Sequence, residues 1–357
     1  MTALTISAER LKDQLTAIFH GWGMAGEQVE TIAQKLVWAD LRGIDSHGSA
    51  LLPLYDDFRR AGKLTLNPEI KLVRETPATG LLDGGGGLGH YPSVQAMNKA
   101  IEKCARAGVG SVAVRNSNHF GAAGAYAMMA AERGFIGLAT TSVWRPTVVP
   151  TFGAEPMFGT NPIAFAAPGG RRPAFCLDMA TSTVALGKLK LAVMHQEPIL
   201  PGWALDDQGR PLLDPVEALK HGHLTPLGGA PEMSSHKGYG LAAMVEILST
   251  LLPGAFFATT RARRHPEAER YNIGHFFLAI DPKAFRGEGE FEQELDDLID
   301  TLQATRPANP QQRVLVPGEP EQKALAERSR NGIPIPPALV AQLRIIAQQC
   351  GAAWLLE

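Results

Sequence analysis

Asp45, Ser46 and His47 are consecutive in the stretch RGIDSHGSALLPLY, residues 42–55. They are the three side-chain types of a hydrolytic relay. Adjacent residues diverge on a helix and point to opposite faces of a strand, so these three cannot form one. A relay also needs an oxyanion hole and a histidine oriented by a separate group, and the chain carries no GxSxG elbow. What is left is an imidazole with a hydroxyl beside it, in a turn between two helices where Asp45 or Ser46 can cap the second one. An imidazole titrates near neutrality, which suits proton transfer to a substrate.

Other segments carry polar groups at the ends of expected elements. In RNSNHFGAAGAYAMMAA a strand gives way to a helix opened by Gly121, Ala122, Ala123 and Gly124. A helix N-terminus suits a phosphate, and His119 at its mouth either serves a ligand or caps its own helix. Thr160 and Asn161 in FGTNPIAF either meet a ligand or make an Asx-type turn. Asp178 closes a strand in DMATST, His236 and Lys237 precede an apolar helix, and PGEPE (317–321) opens a helix with acids in its first turn. DGGGGLG (83–89) satisfies GxGxxG through Gly84, Gly86 and Gly89, but the next strand ends Val114-Arg115-Asn116 without the acid that holds a ribose diol. The other reading of that run is a tight connection using positive φ. His221 and His223 form an HxH pair with no third ligand nearby, and there is no HExxH or cysteine cluster, so metal chemistry has little support.

The elements that must position these groups follow from periodicity. Residues 8–19, 27–41 and 49–61 read as helices, with Val29, Ile32, Ala33, Leu36 and Val37 on one face and Gly43 as a stop. Strands are expected at 80–83, 110–115, 135–142, 162–168, 174–180 and 274–282, with helices at 92–107 and 122–133 giving βαβ units. Residues 198–215 are a proline-rich connection, 241–252 a buried helix, and helices return around 291–302 and 338–349. The basic run 261–264 reads as a solvated loop.

The 357 residues are 45% hydrophobic with net charge −2, enough for a large core and offering no surface for nucleic acid. Cys104, Cys176 and Cys350 are odd in number and far apart, which fits a reducing, cytoplasmic setting. No signal peptide is expected at the N-terminus, and 238–258 is broken by Glu246 and Pro253, so no membrane span is expected.

Taken in order, ADLRGIDSHG (39–48), DGGGGLGH (83–90), VRNSNHFGAAGAYA (114–127), GTNPIAFAAP (159–168), DMATS (178–182), HKGYGLAAMVEIL (236–248) and PGEPE resemble the type-2 malate/L-lactate dehydrogenase family. The likeness runs from about residue 8 to 351. It implies an NAD- or NADP-dependent enzyme acting on a small 2-oxo acid and its 2-hydroxy acid. Cyclic imino acid reduction is one alternative, and a non-redox lyase or cofactor-binding protein is another. The implied fold is α/β and not a Rossmann fold: a mixed sheet flanked by helices, with a helical domain from both termini (1–70 plus 286–357) and a cofactor-binding domain (71–285). It implies a homodimer. His47 matches the proton donor and Ser46 its helper. His119 through Ala123, with Phe120, Gly121 and Ala122 between, match the segment that cradles the cofactor, and His119 is itself catalytic in some members. Asp178, Met179 and Ala180, His236 and Lys237, and Pro317, Gly318 and Glu319 match cofactor contacts; Thr160 matches a substrate contact. Some members carry an arginine where this chain has Leu51, to grip the substrate carboxylate. The imino acid reductases have His-Gly-Asp where this chain has Leu186, Gly187 and Lys188, which tilts it toward oxo acids. Lys188 and Arg145 are the expected carboxylate cations. Glu319 favours a free ribose diol, whereas Arg313 or Arg328 suits a 2′-phosphate.

Overall fold

A computed structural model describes residues 4–356. In chain order its elements begin with β1 (Leu4–Ile6), α1 (Ala8–Gly21) and α2 (Glu27–Leu41), two short 3-10 turns (Asp45–His47 and Ser49–Leu51) and α3 (Leu52–Arg60). Then come β2 (Lys71–Glu75), β3 (Thr79–Asp83), α4 (His90–Ala107), β4 (Val109–Ser117), α5 (Gly124–Ala131), β5 (Ile136–Thr141), β6 (Ile163–Ala167) and β7 (Phe175–Met179). An excursion holds α6 (Leu186–His195), β8 (Ala204–Leu205), α7 (Pro215–His221) and β9 (His223–Leu224). The chain returns through α8 (His236–Glu246), continued by a π-helical turn (Ile247–Leu251), then α9 (Ala258–Arg264) and β10 (Ile273–Ile280). It ends with α10 (Glu290–Gln303), α11 (Glu319–Asn331), β11 (Ile333–Ile335) and α12 (Pro337–Gln349).

The central sheet has seven strands in the order β2-β3-β4-β10-β5-β6-β7. Only β3 and β4 run parallel, joined by α4 as the expected βαβ unit. The second expected unit is different: β10 enters between β4 and β5, antiparallel to both. The sheet is mixed, and its middle strand comes from late in the chain. Alternation along β5 divides the faces. Ala139 packs into the core shared with α4 and α5, while Thr140 turns the other way and its Oγ1 bonds Ser249 Oγ at 2.7 Å.

The chain ends share one core. Leu11, Leu15, Ile18 and Phe19 of α1, Ile32 and Leu36 of α2, and Leu52 and Tyr55 of α3 pack with Ile333, Ile335, Leu343 and Ile346. Strand β1 pairs antiparallel with β11, Thr5 opposite Pro334. The local signals are those expected: Ser7 caps α1, accepting from Arg10 N at 3.2 Å, and Gly108 (φ 78°) ends α4. A third, small cluster around Val148, Leu189, Ile199 and Leu224 holds the excursion together.

Three local expectations are corrected, and the tight-connection reading of the glycine run holds. The segment 49–61 starts as a 3-10 turn and becomes α-helical only at Leu52. The run 261–264 lies in α9, where Arg261 sits over the Tyr271 ring, rather than in a solvated loop. His236 and Lys237 form the first turn of α8 instead of preceding it. The glycine run is the tight connection: Gly85 and Gly86 have positive φ (62° and 75°), and the N–H groups of Gly84 and Gly86 donate to Arg115 and Asn116 carbonyls at the end of β4. With those donors filled, the run offers no phosphate cradle.

Candidate functional site

The Asp45–Ser49 turn is held from two sides. Below it, Asp40 Oδ2 at the end of α2 accepts the Ser49 N–H at 2.8 Å. Gly48 lies flat on that carboxyl, and a Cβ there would come within 1.9 Å of Asp40 Oδ1, so only glycine fits. From the side, Arg328 of α11 donates to both Asp45 carboxylate oxygens and, at 2.5 Å, to the Asp40 carbonyl. Asp45 is therefore an ion-pair partner and not a helix cap, and no side chain caps either 3-10 turn. The same pairing commits Arg328, which is not free to receive a 2′-phosphate.

This turn presents a half-buried His47, whose Nδ1 lies 2.9 Å from Ser46 Oγ. Its ring faces that of His119 at 5.9 Å between centroids, 25° from parallel. His119 follows β4 and is fixed from behind. Its Nδ1 is 2.8 Å from the buried Tyr55 hydroxyl and 3.3 Å from the Gly121 N–H. A backbone N–H can only donate, so Nδ1 is an acceptor, the tyrosine hydroxyl donates to it, and the ring proton sits on Nε2. Trp144 closes the site edge-on to His119 at 5.5 Å and packs on Phe58.

Beneath the pair lie two fully buried histidines. His275 is satisfied by Thr141 Oγ1 (2.6 Å) and Ser117 Oγ (2.8 Å). Neither His90 ring nitrogen has a partner among the described residues, and its ring meets Tyr55 edge-on. Burial pushes both down to about 3, so they are neutral packing groups. Burial, with the other histidines nearby, holds His119 well below 6.5. Burial also lowers His47, the only cause acting on it.

Beside the site runs a cleft of about 330 Å³ lined by Trp38, Arg42, Ile44, Gly124, Asp178 and Gly318, among others. Asp178 Oδ2 accepts the Gly124 N–H at the start of α5, at 2.7 Å. The helix N-terminus expected to attract a phosphate is therefore met by a carboxylate of the chain. Gly318 (φ 93°) packs on Cys176, where a Cβ would lie 3.0 Å from its backbone nitrogen. Val316, Pro317, Gly318 and Gln322 also wall a second cleft of about 240 Å³ with Arg172, Arg313 and Glu319.

The structure thus brings Ser46, His47, His119 and Gly121 together, with Gly124, Asp178, Pro317 and Gly318 beside them. Glu319 pairs with Arg313 in the adjoining cleft. Phe120, Ala122 and Ala123 are buried, and the Phe120 ring stacks on His275 at 4.7 Å, so its side chain belongs to the core. Met179 and Ala180 are half-buried at and just beyond the end of β7, and His236 and Lys237 are exposed on α8. Thr160 receives the Thr181 N–H at its carbonyl, and buried Asn161 ties its turn to Ala242 and Glu246 of α8. Arg145 does not reach into the histidine site. It lines a separate cleft with Leu186, Asp207, Lys220, His221 and His223, and Gly187 and Lys188 follow Leu186 along α6. His223 Nε2 is 2.8 Å from Asp207 Oδ1, and no group of three metal-ligating side chains occurs among the described residues. Leu51 is buried in the terminal core. Sequence reasoning missed Tyr55 and Trp144. Tyr55 reads as one more apolar-face residue, and only its unfilled hydroxyl on a buried face signals a partner.

Residues 6–344 match the model of the malate/L-lactate dehydrogenase family. The chain is 42% identical over 330 residues to a malate dehydrogenase of Pyrococcus abyssi, covering 92% of this chain and 90% of that protein. It is 37% identical over 348 residues to an L-sulfolactate dehydrogenase of Methanocaldococcus jannaschii, covering 98% of each. The crystal structure of malate dehydrogenase from Entamoeba histolytica superposes with a TM-score of 0.93 at 32% identity, covering 99% of both chains.

Burial raises the Asp40 carboxyl from 3.8 to about 7. A group whose folded pKa is raised favours the fold at low pH, and that contribution is lost as pH rises from 3.8 through about 7. Asp40→Asn keeps an oxygen for the Ser49 N–H and removes the titration. Thermal unfolding is expected to show the variant gaining on the wild type between about pH 5 and about pH 8; a difference constant across that range would contradict the buried charge.

Proposed function

This chain belongs to the malate/L-lactate dehydrogenase family, and from that premise we propose that it uses NAD or NADP to interconvert a small 2-oxo acid and its 2-hydroxy acid, with His47 as general acid and base. The observation that carries the reading is the pair of imidazoles with unlike partners, His47 and His119, the first on a turn whose neighbour Ile44 lines the Asp178–Gly318 cleft. The residues present fit a dinucleotide. The two clefts share the Val316, Pro317 and Gly318 segment as a wall. Gly318 lets that loop lie on β7, and the Asp178 carboxylate has acceptor capacity beyond the Gly124 N–H, suited to a ribose hydroxyl. Asp178, Gly124, Pro317 and Gly318 would hold the cofactor. When bound, its nicotinamide supplies or accepts the hydride at the substrate carbon bearing the oxygen.

The chain's own groups manage the proton. His47 Nδ1 lies 2.9 Å from Ser46 Oγ; for Nε2 to exchange a proton with the substrate oxygen, Nδ1 must keep its proton and donate it to that hydroxyl. His119, neutral with its proton on Nε2, is a fixed donor that orients the same substrate, held by Tyr55 and Gly121. What separates the two rings is their partners: His47 Nδ1 meets the Ser46 hydroxyl, whereas His119 Nδ1 is held by Tyr55 and the Gly121 N–H. Reduction needs protonated His47 and oxidation the neutral ring. Burial lowers its pKa from 6.5, so the reductive kcat/KM falls as pH rises through a midpoint below 6.5, and the oxidative one falls as pH drops through that midpoint.

The test follows absorbance at 340 nm with NADH or NADPH and a panel of 2-oxo acids and cyclic imines. Consumption with an oxo acid is expected, and His47→Ala should lower turnover by ~10²–10⁴ while still binding cofactor. Wild-type turnover in that variant would remove the assignment, and no consumption across the panel would remove the reading.

The chain pairs with a second copy of itself across α8. Gly240, Met244, Ile247 and Leu251 recur at helical spacing on its outer side, with Ile247 54% and Leu251 61% exposed. Ultracentrifugation is expected to show a dimer, and Ile247→Arg with Leu251→Arg a monomer; an unchanged dimer would place the interface elsewhere.

A further inference from the structure

Arg42 ends α2 beside the cleft and is the one arginine in the wall it shares with Asp178 and Gly318. Its guanidinium carbon sits 4.0 Å from the centroid of the Trp38 ring, one turn earlier on the same helix. That stacking fixes the plane of the group and leaves its edges free. Its one hydrogen bond goes to the Trp38 carbonyl and is long, 3.5 Å. Among the described residues no carboxylate pairs with it; Glu132 acts only through its field, and burial pulls the group down from its usual value. A guanidinium has five donors and keeps its charge, so a half-buried one with four donors unspent favours an anion at its edge.

The cleft ties this cation to the catalytic turn. Ile44 lines the same wall, and its carbonyl accepts the His47 N–H at 2.9 Å. Arg42 and Ile44 line one cleft, so a dinucleotide lying in it with its nicotinamide end toward His47 would share that cleft with the guanidinium. Across that wall the chain offers carboxylates, Asp178 and Glu321, which suit hydroxyls and repel phosphate. Resting on the cofactor reading above, we infer that Arg42, stacked on Trp38, binds a phosphate group of the dinucleotide cofactor.

Direct binding separates this from both catalysis and folding. The variants are Arg42→Met, which keeps the apolar stem on Trp38, and Arg42→Lys, which keeps the charge. The probes are NADH and NADPH by their own fluorescence, with ADP and adenosine as competitors. Losing a charge-assisted contact is expected to weaken ADP and the dinucleotides about 10- to 100-fold in Arg42→Met, with partial recovery in Arg42→Lys. Adenosine, which has no phosphate, should bind as to wild type. Equal loss for NADH and NADPH assigns the pyrophosphate; loss confined to NADPH, with ADP unchanged, assigns the 2′-phosphate. Unchanged affinity for both dinucleotides, or adenosine weakened as much as ADP, overturns the inference. If the wild type binds neither NADH nor NADPH, the cofactor reading fails first and takes this inference with it.

Discussion

The arrangement depends on how a five-residue turn is held. Residues 45–49 are too short to place an imidazole by their own hydrogen bonds, and both 3-10 turns lack side-chain caps. Their position comes from Asp40 beneath and Arg328 beside. Gly48 permits the first contact because any larger residue would strike the Asp40 carboxyl. The second comes from the far end of the chain, so the shared core of the termini is what brings Arg328 to Asp45. Helix α11 also reaches the cleft: its N-cap Gly318 walls it, and Arg328 near its C-terminus grips the turn that carries His47. One rigid helix thus sets the cleft and the turn relative to each other.

On that frame, burial divides the labour. Four histidines lie close together, and what differs among them is access and partners. His90 and His275 are sealed in the interior and neutral. His47 and His119 are both half-buried and differ in their partners: His119 Nδ1 is taken by Tyr55 and Gly121, which fixes its proton on Nε2, while His47 Nδ1 meets the Ser46 hydroxyl. Proton exchange requires a group that can change state, and orientation requires one that cannot. The cleft shows a parallel economy of charge, carboxylates on one side and a stacked guanidinium on the other.

Much of this was legible in the sequence because it is local. Apolar periodicity placed α2, α4 and six of the seven sheet strands to within a few residues, missing the fully exposed edge strand β2, and Gly108 ended α4 as its position predicts. The likeness of ordered motifs assigned His47 and His119, and Asp178 and Pro317, to one expected site, a grouping that no spacing rule reaches. What escaped is non-local or short. The insertion of β10 between β4 and β5 leaves no trace in either strand. The three-residue β1 and β11 have no period to read. Arg328 looked like a phosphate ligand because its partner, Asp45, lies 283 positions away. Arg145 lies next to Trp144, a wall of the histidine site, yet lines another cleft. Adjacency in sequence says little about which way a side chain leaves a loop.

The central claim, that the Arg328 clamp sets His47 against its substrate, is tested most directly by single-turnover reduction in Arg328→Ala, with enzyme and reduced cofactor premixed at saturation. The account predicts that the rate of cofactor oxidation falls about 10- to 100-fold, a loss of one or two buried charge-assisted hydrogen bonds. A rate equal to wild type would contradict it, because His47 would then be placed without the clamp.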